Sequence, residues 1–254
     1  MMIGTSYVGY YSNYTIIVNK LTAFVNTVFY SLTASLGNLI VKEGKEQRYN
    51  IFKIMQSVSM VLSTFFVTCV LLLQQDFIYV WLGNEYKLNN LVVVAIVLNF
   101  YFSISLLPIW VFREATGLYQ QTKFVMLITA VVNVIVSILL GKFIGLAGVI
   151  FATSISRITT YFWYEPKLLF KQYFGESSKI YFIGVLKSII VTIAVCAIVG
   201  FVSSYIIANN WLLLIVKAVV VLILTTLIEF IIYRKSEGVL LLKERIGNLK
   251  IMKK

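Results

Sequence analysis

The chain has no histidine, only two prolines and two cysteines, and charged residues at just 13% of its 254 positions. Without histidine it lacks the commonest general base and the commonest zinc ligand. Cys69 and Cys196 lie in separate apolar runs, so they are expected to be small buried apolar residues rather than metal ligands. The apolar segments also contain no carboxylate pair, phosphate-binding glycine loop or nucleophile motif. The sequence therefore predicts neither an enzyme nor a metal or cofactor site.

Apolar residues are unusually abundant. They make up 60% of the chain, and the mean hydropathy is +0.90, whereas a soluble domain is about 45–50% apolar and about 25% charged. A soluble core of this size could not bury so much apolar surface, so lipid must surround most of the chain. The net charge of +12 comes from basic residues in short connections, which fits membrane orientation better than nucleic-acid binding.

Seven stretches are long and apolar enough for membrane helices, which need about 20 residues each. They are residues 7–40, 51–75, 88–112, 119–142, 146–165, 181–208 and 211–233. The predicted fold is an all-α, polytopic transmembrane bundle with short connections. Pro108 and Pro166 fall near the ends of the third and fifth spans and are expected to bend or stop those helices.

Lysine and arginine predict the orientation. One set of alternate connections, including Arg113 and the tail, holds 16 basic residues, and the other set holds 2. The positive-inside rule places the first set in the cytoplasm, which puts the N-terminus outside and the C-terminus inside. Because no signal peptide precedes the first span, we expect the chain to be the later part of a longer membrane protein. A short protein with an external N-terminus is the alternative.

The first span carries a polar arc. At about 100° per residue, one side collects Ser12, Thr15, Asn19, Thr22, Asn26, Thr33 and Ser35. Asn13, Lys20 and Thr27 flank this arc, and the opposite, apolar face holds Tyr14, Leu21, Val25, Val28 and Leu32. Serine and threonine also serve ordinary helix packing in membranes. Three asparagines and a lysine favour a hydrated cavity, and a helix lying on the membrane surface would carry more charge.

The fourth and fifth spans carry a second polar stripe. The fifth presents Thr153, Ser156 and Arg157 in one sector, and the fourth adds Asn133. A central arginine costs at least about 2.5–3.5 kcal/mol to insert, so it must face a cavity or bond to backbone carbonyls or helix ends. The candidate cavity residues are Arg157, Lys20, Asn19, Asn26, Asn133, Ser156 and Thr153. In the sixth and seventh spans, Lys187 and Lys217 lie close enough to the helix ends to extend to the membrane surface, and Glu229 is within reach of the cytoplasmic edge. These two spans are expected to be peripheral.

Three segments resemble a known family. They are Val8-Gly-Tyr-Tyr-Ser-Asn-Tyr14, Trp81-Leu-Gly-Asn-Glu-Tyr86, and Asn133 followed by Gly145-Leu-Ala-Gly-Val-Ile-Phe-Ala-Thr153 and Ser154-Ile-Ser-Arg157. In order and spacing over residues 8–157 they resemble bacterial polysaccharide flippases of the multidrug/oligosaccharidyl-lipid/polysaccharide exporter superfamily.

The resemblance implies a transporter in the bacterial inner membrane that moves an undecaprenyl-pyrophosphate-linked oligosaccharide outward for O-antigen, lipopolysaccharide or capsule synthesis. Such proteins have two six-helix lobes around a cavity, often with an appended helix pair. Residues 1–180 would be the second lobe without its first helix, 181–235 the appended pair, and 236–254 a basic cytoplasmic tail. The implied partners are the lipid-linked oligosaccharide, membrane lipids, the missing first lobe and polysaccharide assembly proteins, with no nucleic acid.

Three other functions remain open at this stage. A multidrug exporter of the same superfamily would favour acidic cavity residues, and none is evident in the polar stripes. An integral-membrane glycosyltransferase or polymerase would require a large external loop or a cytoplasmic catalytic domain, whereas the connections here are short. A structural subunit is the third alternative.

Overall fold

The computed structural model describes residues 5–251, and side chains over 7–245. Within that part of the chain every regular element is helical. The helices are α1 (Thr5–Tyr30), α2 (Thr33–Lys42), α3 (Lys45–Leu82), α4 (Asn90–Ser105), α5 (Leu107–Thr116), α6 (Tyr119–Thr159), α7 (Tyr161–Leu169), α8 (Lys179–Ser203), α9 (Trp211–Tyr233) and α10 (Glu237–Ile251). A 3₁₀ turn at Asn84–Tyr86 follows α3, and a π-helical turn at Phe170–Phe174 follows α7.

The helices are those of a multi-pass membrane protein. Five segments in the described chain are long and apolar enough to cross a bilayer, and α4 with α5, bent by 41°, makes a sixth if that pair is one span. The five are Tyr7–Lys42, Lys45–Leu82, Tyr119–Phe174, Lys179–Ser203 and Trp211–Tyr233. The predicted all-α membrane fold is therefore confirmed.

Helix α6 folds back on itself in the middle. Ile144 and Gly145 leave helical geometry, and Gly145 has a φ of 59°, a left-handed conformation that glycine adopts without a steric penalty. Residues 119–143 form a first arm and residues 146–159 a second arm, in the place of the fourth and fifth predicted spans. A Cβ atom added to Gly148 would lie 2.2 Å from the Leu140 carbonyl oxygen, so the arms touch through their backbones.

Helix α3 is the central element. It packs against α1, α4, α5, α8, α9 and α10, and its 38 residues span about 57 Å at 1.5 Å per residue. Its buried polar side chains include Ser59, Ser63, Thr64, Thr68 and Gln74. Small residues of this kind let membrane helices approach closely. Helices α8 and α9 each pack along α3, while their other faces carry large exposed apolar side chains.

The two prolines behave differently. Pro108 follows the break at Leu106 and lies in the first turn of α5, so the bend expected in the third span occurs next to it. Pro166 neither stops nor ends α7, which continues to Leu169. The chain instead breaks before α7, at Thr160, whose φ and ψ are −123° and −102°. Of the two outcomes expected of Pro166, bending or stopping its helix, it does not stop the helix, and the break in the chain lies six residues before it.

Candidate functional site

The face of α1 that was predicted to be apolar is packed only in part. Tyr14 and Val25 are buried, whereas Val28 and Leu32 are exposed, and α1 contacts α3, α4 and α5. The Tyr14 hydroxyl donates to Gln75 Oε1 and accepts from the backbone N–H of Leu88 at 3.1 Å. Gln74 Nε2 donates to the Tyr14 carbonyl at 2.7 Å. These bonds fix α1 against the end of α3 and leave its opposite, polar face outside the bundle.

That polar face contains two kinds of groups. Ser12 and Thr22 donate to carbonyls four residues back at 2.9 and 2.8 Å, so their hydroxyls are satisfied within α1. Asn19 and Lys20 are exposed, and within the described chain neither has a hydrogen-bond or ion-pair partner. Asn26 is half-buried, and its Oδ1 lacks a partner in this part of the molecule. The two asparagines and the lysine thus remain available to groups outside α1.

A second group of predicted residues meets inside the α6 hairpin. Asn133 Nδ2 on the first arm donates to Thr153 Oγ1 at 3.4 Å and to Ser156 Oγ at 3.3 Å on the second arm. One turn away, Thr129 and Thr160 share a hydrogen bond of 2.6 Å. The three predicted cavity residues are therefore brought together, but their polar atoms bond to one another and hold the two arms in register.

Arg157 is half-buried between the second arm and the bent pair α4–α5. Its Nη1 donates to Ser103 Oγ at 3.2 Å, and the guanidinium lies 5.9 Å from the centre of the Trp110 ring. Among the described residues it bonds to neither a carboxylate nor a backbone carbonyl. A guanidinium has five N–H donors, and most of those on Arg157 remain available.

The seven predicted residues do not form one cluster. Asn19, Lys20 and Asn26 lie on α1, the others lie on α6, and no hydrogen bond between described residues joins the two groups. Helices α4 and α5 connect them, because α1 packs on both and Arg157 reaches Ser103 on α4 and Trp110 on α5.

Four cavities are lined by other residues. One of about 280 Å³ between α3, α4 and α8 and one of about 350 Å³ beside Phe162 and α8 are almost wholly apolar. Two more, of about 350 and 340 Å³, lie beside α10 and have polar walls. None of the seven predicted residues lines any of the four.

Sequence reasoning missed a buried ion pair. Arg113, predicted as a cytoplasmic loop residue, lies in α5 with its Nη1 2.7 Å from Glu165 Oε1 in α7. The side chains are only 10% and 2% exposed, and the guanidinium also lies 5.3 Å from the centre of the Tyr119 ring. Opposite charges at adjoining ends of the third and fifth predicted spans were the signal available in the sequence.

Two charged residues of the last spans have surroundings that the sequence did not predict. Lys217 does not extend to the membrane surface alone, because its Nζ lies 2.5 Å from Asp76 Oδ2 on α3. Glu229, expected at the cytoplasmic edge, is only 4% exposed, and its Oε1 has no partner within the described chain. Both side chains are therefore enclosed at the interface with α3, which their distance from the helix ends did not indicate.

No family description, curated protein or solved structure matches the chain. The described residues also contain no group of three or more His, Cys, Asp or Glu side chains that could hold a metal ion. The class that the structure defines, from its long apolar helices, is that of a multi-pass, all-helical membrane protein.

Proposed function

We propose that the chain acts in a flippase that moves an undecaprenyl-pyrophosphate-linked oligosaccharide across the bacterial inner membrane. The observation that carries the proposal is Arg157, a half-buried cation in the helical bundle that no described carboxylate neutralises. Such a charge is costly in a membrane unless it serves a partner or a polar pathway. Asn19 and Lys20 on the unpacked face of α1 supply further donors and acceptors.

The chemistry of the proposed substrate matches these groups. A planar guanidinium can bind two phosphate oxygens at once, whereas amides and hydroxyls suit the sugar hydroxyls. Helices α4 and α5 contact both α1 and Arg157. They would form the surface between Arg157 and the polar residues of α1. Arg157 would hold the pyrophosphate, and Lys20, Asn19 and Asn26 would contact the remainder of the headgroup.

The proposal includes a topology of seven spans. It treats α1–α2 and α4–α5 as single spans and divides α6–α7 at Gly145, where the backbone turns back. The N-terminus would be outside and the C-terminus in the cytoplasm, because the basic residues concentrate in alternate connections. A multidrug exporter would favour an unpaired acidic group beside the polar stripe, and Arg157 has none among the described residues.

Binding by the purified chain in nanodiscs tests the proposal. Arg157→Ala should weaken binding of an undecaprenyl-pyrophosphate-linked oligosaccharide by roughly 10- to 150-fold, the equivalent of the 1.5–3 kcal/mol of a charged hydrogen bond. Arg157→Lys should retain part of the affinity, and Lys20→Ala should lose less because its side chain is exposed. Native mass spectrometry reports the bound fraction.

The control is Lys142→Ala, which removes an exposed cation at the hairpin turn and should leave the affinity unchanged. Unaltered binding by Arg157→Ala, or an equal loss in Lys142→Ala, would contradict the role of Arg157. Circular dichroism confirms that each variant remains helical, so that loss of folding is not mistaken for loss of binding.

A further inference from the structure

A polar cavity lies at the meeting point of α3, α8 and α10, on the predicted cytoplasmic side. Its volume is about 340 Å³, and it is separate from Arg157 and from the polar face of α1. The residues that line it are Tyr49, Lys53, Gln56, Ser57, Met60, Ile180, Ile183, Gly184, Lys187, Glu237 and Gly238. Two lysines on different helices therefore share one cavity with a single carboxylate.

The cavity exists because two glycines let the helices approach. A Cβ atom added to Gly238 would lie 2.2 Å from both the Lys53 carbonyl oxygen and Ser57 Oγ, so α10 rests on the backbone of α3. A Cβ atom added to Gly184 would lie 3.3 Å from Gln56 Nε2. A larger side chain at Gly238 would force α10 away from α3, and one at Gly184 would press against Gln56.

The polar wall offers more donors than the protein uses. Gln56 Nε2 is buried and has no partner among the described residues, and a buried donor left unpaired is destabilising. Lys187 is exposed, with no ion-pair partner in the described part of the chain. Lys53 Nζ lies 2.5 Å from Glu237 Oε1, but the Glu237 side chain is 71% exposed and can rotate away. An anion with several acceptor oxygens would match this set.

The remaining wall is apolar and open to the bilayer. Ile180 and Ile183 are more than half exposed, and the exposed stripe continues along α8 through Leu186 and Ile190. Lys187 lies eight residues into α8, which corresponds to about 12 Å along the helix. A soluble anion would leave the apolar wall uncovered, whereas a lipid would place its headgroup at the lysines and an acyl chain along α8.

We infer that this cavity binds the phosphate headgroup of an anionic membrane phospholipid. Lys53, Lys187 and Gln56 contact the phosphate oxygens, and Met60, Ile180 and Ile183 contact the first part of an acyl chain. Basic cavities between membrane helices on the cytoplasmic side suit such headgroups. Because α3, α8 and α10 each contribute to the cavity, the bound lipid would link three helices that are distant in sequence.

Native mass spectrometry of the full chain, titrated with phosphatidylglycerol or phosphatidylcholine, tests this inference. Phosphatidylglycerol should bind preferentially. Lys187→Gln should weaken its binding about fivefold and Lys53→Gln/Lys187→Gln roughly 30-fold. These values assume that each lysine contributes the attraction of one positive charge to the anionic headgroup. Glu237→Gln should strengthen binding, because it removes the carboxylate that competes for Lys53. Lys187 is exposed, so its variant tests the site without disturbing the core.

The charge-matched control is Lys171→Gln/Lys243→Gln, which removes two exposed lysines from the same predicted side outside the cavity. An equal loss in this control would show only general attraction to anionic lipid and would overturn the site. Competition by inorganic phosphate at the same concentration would overturn the lipid assignment. Stronger binding of undecaprenyl pyrophosphate that is lost in Lys187→Gln would instead assign the cavity to the transported lipid and refute a phospholipid site.

Discussion

Removing Glu165 should destabilise the bundle more than removing its partner Arg113. The pair joins α5 to α7 at 2.7 Å, with side chains 10% and 2% exposed, so water screens it little. Glu165→Gln leaves a guanidinium that stays charged at all ordinary pH values. Arg113→Met leaves a carboxyl that can take up a proton and become neutral. The double change Arg113→Met/Glu165→Leu leaves no buried charge.

The magnitudes follow from the burial. Breaking a buried pair by removing one partner costs about 3–5 kcal/mol, whereas replacing both partners with apolar residues is neutral or stabilising. One kcal/mol shifts the melting temperature of a chain of this size by about 2–4 °C. Glu165→Gln should therefore melt roughly 6–20 °C below the unchanged chain, Arg113→Met less far below it, and the double variant close to it.

The natural cysteines make the assay simple. Cys69 and Cys196 are half-buried free thiols in the bundle, so a thiol-reactive fluorogenic dye reports unfolding as detergent-solubilised protein is heated. Glu237→Gln is the control, because it breaks an ion pair whose acid is 71% exposed and should change stability by at most about 1 kcal/mol. A Glu165→Gln variant that melts with the unchanged chain, or a double variant as unstable as Glu165→Gln, would refute the reasoning.

Three further predictions concern other parts of the chain. Glu229→Met should stabilise the protein by about 1–3 kcal/mol in the same assay, because it removes a buried carboxyl with an unpartnered oxygen; destabilisation would mean that the acid has a partner. Gly148→Ala should cost about 1–3 kcal/mol by forcing the α6 arms apart, while Gly37→Ala, with 4.0 Å of space, should not; equal melting of the two would contradict the hairpin contact. In a chain with its two cysteines replaced, single cysteines at Asn84 or Asn209 should react with an impermeant reagent added outside cells and one at Lys45 should not; the reverse pattern would invert the topology.

The elements of the fold were largely predictable, because each depends on local sequence. The apolar stretches give the helices, and the predicted connection between the fourth and fifth spans falls at Gly145, where the backbone turns. Helical periodicity gave the faces of α1 only in part, because Tyr14 and Val25 are buried but Val28 and Leu32 of the same predicted face are exposed.

The partners of polar groups were not predictable, because they depend on residues far apart in sequence. Arg113 and Glu165 are 52 positions apart, and distance from a helix end gave no sign that Lys217 would pair with Asp76. Periodicity placed Asn133, Thr153 and Ser156 on polar faces, but only their mutual hydrogen bonds show that the faces meet each other.

The hydroxyls along α3 have a consequence for biosynthesis. Thr64 shares a hydrogen bond of 2.8 Å with Thr192 on α8, and Thr68 shares one of 3.4 Å with Cys196, each across 128 positions. At about 5–20 residues per second, a ribosome needs roughly 6–26 s to make the segment between such partners. Until α8 enters the membrane, the hydroxyls of α3 can turn back to carbonyls of their own helix. The arrival of α8 is therefore an exchange of hydrogen-bond partners within the bilayer, and α3 reaches its final interactions only after α8 has been synthesised.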